Sequence, residues 1–161
     1  MFVQAVAGTG VKILDTRKTI PTLRHICKYA TKLGGVENHR FNLNDAYMIK
    51  DNHIANSNLQ ATLNKITDNN KQQVIVECDS LEQVQLCCKK QYPITRILLD
   101  NMSRQQIKSS IEIINGRYLT EASGGINLDN VREIAMTGVD YISVGSITKT
   151  IPALIDIGFD Y

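Results

Sequence analysis

At 161 residues the chain has the length of one domain and is long enough to bury a core of its own. Hydrophobic residues at 43% and charged residues at 21% match ordinary globular proteins and exclude disordered and fibrous classes. The net charge of +2, without a long run of like charges or of apolar residues, argues against a nucleic-acid or membrane partner.

The opening Met1 to Ala7 is apolar but lacks a basic region and turns directly into Gly8-Thr9-Gly10, so it does not read as a signal peptide. A first strand is predicted over Val11 to Leu14, closed by Asp15-Thr16-Arg17-Lys18. Pro21 then stands where a helix would begin, and Leu23, Ile26, Cys27, Ala30 and Leu33 keep helical spacing until Gly34-Gly35. A second strand over Ala46 to Ile49 ends in Lys50-Asp51-Asn52-His53, and a less regular helix is expected between Asn56 and Asn70. Gln73 to Val76 reads as the third strand, closed by Glu77. Ser80 opens a helix, with Gln83 at the capping-box position and Leu81, Val84 and Cys88 on one side. Arg96 to Leu99, closed by Asp100-Asn101, precedes a helix capped by Ser103 with Ile107, Ile111 and Ile114 inward. Tyr118 to Thr120 ends in Glu121-Ala122-Ser123-Gly124-Gly125. Asn127 is expected to open a helix through Val131, Ile134 and Ala135 to Gly138. The last strand, Tyr141 to Val144, leads into Gly145-Ser146.

Strands that alternate with helices imply an α/β fold with parallel strands, because a parallel connection needs a crossover of about a dozen residues. Polar residues close nearly every strand. An open doubly wound sheet gathers its ligand groups at one switch point, whereas a barrel collects them from most strand ends, so a (β/α) barrel is favoured. Six strands fall short of the eight of a full ring, so the barrel should be incomplete or open. No linker divides residues 1–161. Cys27, Cys78, Cys87 and Cys88 lack C-x-x-C spacing and read as reduced thiols of a cytoplasmic protein.

The strand ends sort into two chemical sets. Arg17, Lys18, His39, Arg40 and Lys50 supply positive charge, and an arginine fork suits carboxylate or phosphate. Glu77 and Asp100 suit a hydrated magnesium ion or ribose hydroxyls. Ser123-Gly124-Gly125 and Gly145-Ser146 precede helical patterns, where backbone amides bind phosphate readily. Each feature alone has a blander reading: a solvated turn for Arg17-Lys18, a packing role for His39, a strand end in water for Glu77, a positive-φ turn for Gly124-Gly125. Together they describe a site for an anionic, phosphate-bearing substrate.

Longer motifs carry a resemblance. Asp15-Thr16-Arg17-Lys18-Thr19-x-Pro21-x-x-Arg24, Lys28-Tyr29-Ala30, Gly34-Gly35-x-x-Asn38-His39-Arg40 and Ile49-Lys50-Asp51-Asn52-His53 resemble quinolinate phosphoribosyltransferases, also called nicotinate-nucleotide pyrophosphorylases. The likeness continues through Val76-Glu77, Leu99-Asp100-Asn101-Met102, Glu121 to Ile126 and Thr137 to Gly145. It implies an open-sided barrel of the type II phosphoribosyltransferase kind, a homodimer in the full-length form, using phosphoribosyl pyrophosphate with Mg2+. The implied reaction converts quinolinate to nicotinate mononucleotide, pyrophosphate and carbon dioxide in NAD biosynthesis. Position by position, Arg17, His39 and Arg40 resemble the quinolinate pocket, and Lys18 and Lys50 the catalytic lysines between the two substrates. Glu77 and Asp100 resemble the catalytic pair facing the ribose and the magnesium. Ser123, Gly124 and Gly145 look like the 5-phosphate cradle, with Lys149 nearby.

Thr22 and Val36 depart from the family pattern, which often has glycine there. Family members also carry a preceding sandwich-like domain that lends an arginine to the neighbouring subunit, and the resemblance implies that this domain is absent here. That leaves a non-catalytic phosphoribosyl-binding remnant, or one subunit of a split enzyme, as the alternative to a working transferase. A related transferase for another ring acid is disfavoured, because paired Arg17 and Arg40 suit a dicarboxylate.

Overall fold

The structure is a computed structural model that describes residues 1–50, 53, 58–66 and 72–149. Six strands form one sheet: β1 (Lys12–Leu14), β2 (Ala46–Ile49), β3 (Gln73–Cys78), β4 (Arg96–Asp100), β5 (Leu119–Ser123) and β6 (Tyr141–Ser143). All pairings are parallel, in the order β1-β6-β5-β4-β3-β2. From β2 onward each strand lies beside the next in sequence, and β1 completes the run beside β6. A doubly wound sheet would reverse its order at a switch point; this one does not, so its winding is that of a barrel. Among the described residues β1 and β2 do not pair. On the free edge of β1, Leu14 bridges Glu37, which brings residues 36–40 into the opening.

Alternation along the strands assigns the two faces. Ile13, Val74, Val76, Ile97, Leu99, Ala122 and Ile142 point outward into the main core beneath the helices. Ala46, Ile75 and Leu98, with Met48, make a small apolar layer inside the curve of the sheet. One pleat further along, at the C-terminal ends, the inward residues become Lys50, Glu77, Asp100, Ser123 and Ser143. The apolar layer is therefore the floor on which the polar groups stand. Each fully buried aliphatic side chain contributes about 1.5–3 kcal/mol to holding it.

Helices α1 (Phe2–Ala5), α2 (Arg24–Leu33), α3 (Leu59–Lys65), α4 (Leu81–Cys88), α5 (Arg104–Ile114), α6 (Val131–Ala135) and α7 (Ser146–Lys149) accompany the strands. The Ser80 side chain accepts from Gln83 N–H at the start of α4, and Ser103 and Gln106 form a full capping box on α5. Three expectations shift. Thr22 has φ +65°, which no helical residue adopts, so α2 starts at Arg24 and not at Pro21. Asn127 makes a turn instead of a cap: its side chain accepts from Asp129 and Asn130 N–H at 2.9 and 3.1 Å, and α6 begins only at Val131. Strand β5 runs on to Ser123, which turns Glu121 from a closing residue into an inward strand residue. The ends of the helix expected over Asn56–Asn70, and Asp51 and Asn52, lie outside the described residues.

Candidate active site

A cavity of about 320 Å³ opens at the C-terminal ends of the strands. Of the residues singled out in the sequence, Arg17, Lys18, His39, Arg40, Lys50, Glu77, Asp100 and Ser123 line it. Thr16, Met48, Leu98, Glu121 and Ser143 complete the wall. Gly124, Gly145 and Lys149 are not among the lining residues. Lys149 instead packs over Gly145, where an added Cβ would lie 3.5 Å from its Cε.

Some of the charges inside are paired. Lys50 Nζ lies 2.6 Å from Glu77 Oε2. Glu121, fully buried, receives Arg96 NH1 on Oε2 at 2.8 Å, and the Arg96 guanidinium also lies over the Tyr141 ring, 4.2 Å from its centre. His39 Nε2 is 3.3 Å from Glu121 Oε1, without the alignment of a hydrogen bond, so that oxygen has electrostatic company but no directed donor. Burial pushes the Glu121 carboxyl upward; the His39 ring Nε2–H nearby and the Arg96 guanidinium outweigh it and hold the group below its ordinary pKa.

Arg17 and Arg40 differ from the paired groups. Burial and the Arg17 charge draw the Arg40 pKa below its usual value, against opposing pulls from Asp45 and Glu77. Two half-buried guanidiniums thus repel each other across one cavity. Arg17 Nε is buried without a hydrogen-bond partner, and Arg40 NH1 donates to the Ala46 carbonyl at 2.8 Å, an anchor at the start of β2. A buried donor with no acceptor is costly unless an anion meets it.

On the opposite wall Asp100 accepts from Asn101 Nδ2 at 2.7 Å. Asn101 holds φ +54°, and Gly124 makes that geometry possible: at φ +90°, an added Cβ there would sit 2.1 Å from Asn101 Oδ1. The glycine expected to cradle a phosphate has a packing reason to be small. Among the described residues no group of three or more His, Cys, Asp or Glu could hold a metal. Glu77 and Asp100 nevertheless line the same cavity and offer two hard oxygen donors, a number that fits magnesium, which usually takes its other ligands from water and substrate phosphates.

Behind the cavity lies a pair that the motifs contained without a role. Asp15 and Lys28 are both buried, 2.6 Å apart. Asp15 Oδ1 also accepts from His39 N–H at 2.7 Å, while Oδ2 accepts from Asn38 Nδ2 at 2.6 Å and Thr31 Oγ1 at 3.0 Å. Lys28 Nζ donates to the His39 carbonyl at 2.8 Å. Glu121 and Asn101 were likewise visible only as motif letters; a charge at an inward strand position is the signal that marks Glu121.

The profile of the family described as quinolinate phosphoribosyl transferase, C-terminal domain, matches residues 1–160. The chain belongs to that family. It is 41% identical to a nicotinate-nucleotide pyrophosphorylase (carboxylating) of Mycobacterium leprae, over 99% of this chain and 57% of the relative. A quinolinate phosphoribosyltransferase (decarboxylating) of Nicotiana glauca is 40% identical over 93% of this chain and 48% of its own length. The crystal structure of the nicotinate-nucleotide pyrophosphorylase of Ehrlichia chaffeensis superposes with a TM-score of 0.86 at 46% identity, covering 92% of this chain and 54% of that one. The chain spans about half the length of the curated relatives it matches. No described helix is long and apolar enough to cross a membrane.

Proposed function

We propose that the cavity transfers a phosphoribosyl group from phosphoribosyl pyrophosphate to quinolinate, releasing pyrophosphate and carbon dioxide and leaving nicotinate mononucleotide. One observation carries the reading: once the internal pairs are set aside, Arg17, Lys18 and Arg40 face Asp100, so a cationic surplus meets the cavity. Lys50 and Glu77 neutralise each other until substrate takes over the pair, and Arg96 cancels Glu121. Two arginines in mutual repulsion suit a ligand with two carboxylates, and both relatives named above carry the corresponding activity in their names.

The chemistry asks for positioning and electrostatics and needs no protein nucleophile. Arg17 and Arg40 hold the ring carboxylates so that the pyridine nitrogen faces the ribose anomeric carbon. As that carbon bonds to nitrogen and its bond to pyrophosphate breaks, positive charge develops on the ribose, and Glu77 and Asp100 stabilise it. The pyridinium ring then accepts the electron pair left by the departing carboxylate, and a proton takes its place on that carbon. Magnesium held with the diphosphate by Glu77 and Asp100 would neutralise the leaving group. Lys18 and Lys50 keep two polyanions together against their repulsion, and Ser123, Gly124, Gly145 and Lys149 form the 5-phosphate end. The same reading includes a homodimer, as the resemblance implies, and a cytoplasmic setting, in keeping with four free cysteines.

The test uses quinolinate labelled in the carboxylate next to nitrogen, with phosphoribosyl pyrophosphate and Mg2+. Labelled carbon dioxide should appear only when both substrates are present. Binding of both without release would reduce the chain to a phosphoribosyl-binding unit, and binding of neither would end the proposal.

A further inference from the structure

We propose that the buried Asp15–Lys28 ion pair is a positioning device that fixes His39 in the cavity wall as a neutral Nε2–H donor. The role in ligand binding rests on the function proposed above; the state of the ring does not.

The two charges grip the two peptide groups of one residue. Asp15, at the end of β1, takes the His39 N–H, and Lys28, on α2, takes the His39 carbonyl. Every acceptor site on Asp15 is filled by a named donor, so the pair is a closed arrangement and not a loose contact. No regular strand ladder holds residues 38–40, since the sheet is open beside β1 beyond the single Leu14–Glu37 bridge. The ion pair supplies the constraint that a neighbouring strand would otherwise give.

That constraint selects a tautomer. With the His39 main chain fixed, the Arg40 N–H lies 2.8 Å from His39 Nδ1. An amide can only donate, so Nδ1 is an acceptor without a proton, and the ring proton sits on Nε2. Nε2 in turn lies along the cavity wall beside Glu121, 3.3 Å from Oε1, while Arg96 neutralises the other oxygen. His39 therefore holds an Nε2–H at the wall without adding charge, and Arg17 and Arg40 remain the charges that bind the anion. A buried ion pair is often no more stable than an apolar pair of the same volume. What this one adds is the register of His39 and Arg40.

Long-range 15N–1H correlation spectra of the histidine rings separate the tautomers, with His39→Gln used to assign the signal. The unaltered chain at neutral pH should show His39 with the proton on Nε2 alone. A proton on Nδ1, or on both nitrogens, would overturn the proposal. In Asp15→Leu/Lys28→Met, two apolar side chains should preserve the fold while His39 becomes a mixture of tautomers. Quinolinate affinity should then fall about tenfold, with phosphoribosyl pyrophosphate held within about twofold. If that variant does not fold, Lys28→Met alone carries the test, because Asp15 keeps three neutral donors; the same spectral change and loss are expected. A folded variant that retains the parent spectrum and the parent quinolinate affinity would refute the role of the pair. The spectrum is taken without ligand, so a chain that ignores quinolinate overturns the functional reading while the spectrum still decides this one.

Discussion

Replacing Glu121 with leucine should destabilise the chain by roughly 3–5 kcal/mol, the usual cost of stranding one member of a buried ion pair. The Arg96 side chain is 11% exposed and its NH1 has Glu121 at 2.8 Å, while Arg96 Nε has no partner at all. The Tyr141 ring would remain, but a desolvated cation–π contact returns only about 2 kcal/mol. For a chain of this size each kcal/mol moves Tm by about 2–4 °C, so a fall of roughly 6–20 °C is expected. Arg96→Met/Glu121→Leu should recover most of it, since both charges leave together. The acid side of the stability curve should change as well. A folded carboxyl held below its ordinary pKa contributes stability above the unfolded value of about 4.3, and that stability is lost as pH falls through the lowered folded value. Glu121→Leu should therefore flatten the acid limb. Urea titrations of the parent and both variants at pH 7 and at several acid pH values provide the check. A single variant within about 1 kcal/mol of the parent, or a double variant no better than the single, would refute the reasoning.

Arg17→Ala and Arg40→Ala should each weaken quinolinate by roughly ten- to hundred-fold and phosphoribosyl pyrophosphate far less, as read by calorimetry; equal weakening of both ligands would defeat the assignment. Asp100→Asn should lower turnover and raise the magnesium requirement while leaving the acid limb of the pH–rate profile in place, because Asp100 acts by its charge; a lost acid limb would show it to be a proton carrier. Thr22→Gly should stabilise the chain by about 0.5–1 kcal/mol, since a β-branched residue at φ +65° costs more than the chain entropy that glycine adds. An unchanged or lower denaturation midpoint would contradict that.

The fold was legible because parallel strands covered on both faces read as short apolar runs, and each run here is closed by polar residues. Val74-Ile75-Val76 and Ile97-Leu98-Leu99 leave little choice. Local caps were legible too where a side chain bonds within its own first turn, as at Ser80 and Ser103. Asn127 misled because the same side chain chemistry that caps a helix also closes a turn, and only the neighbours' N–H directions decide between them. The cationic side of the cavity could be read as letters, since Arg17 and Lys50 follow strand ends and Arg40 stands in a motif with His39 between the first two strands. The role of Glu121 could not, because it depends on Arg96, 25 positions away, and on a strand that runs three residues beyond the expected Tyr118–Thr120. The work of Asp15 and Lys28 was hidden for the same reason: three separate segments meet there, and no spacing rule joins them.

The placement of β1 beside β6 also sets a schedule for folding. Lys12 pairs with Tyr141, so during synthesis β1 is made well before β6, the strand it joins, with β2 to β5 following in between. At about 5–20 residues per second, roughly 6–26 s pass between the synthesis of the two. Throughout that interval Ile13 and Leu14 have no strand to join, while β2 to β5 can already pair in order. Of the strands in this sheet β1 thus waits longest for a partner, and refolding in vitro should be slow because the seam that completes the sheet is also the longest-range pairing in it.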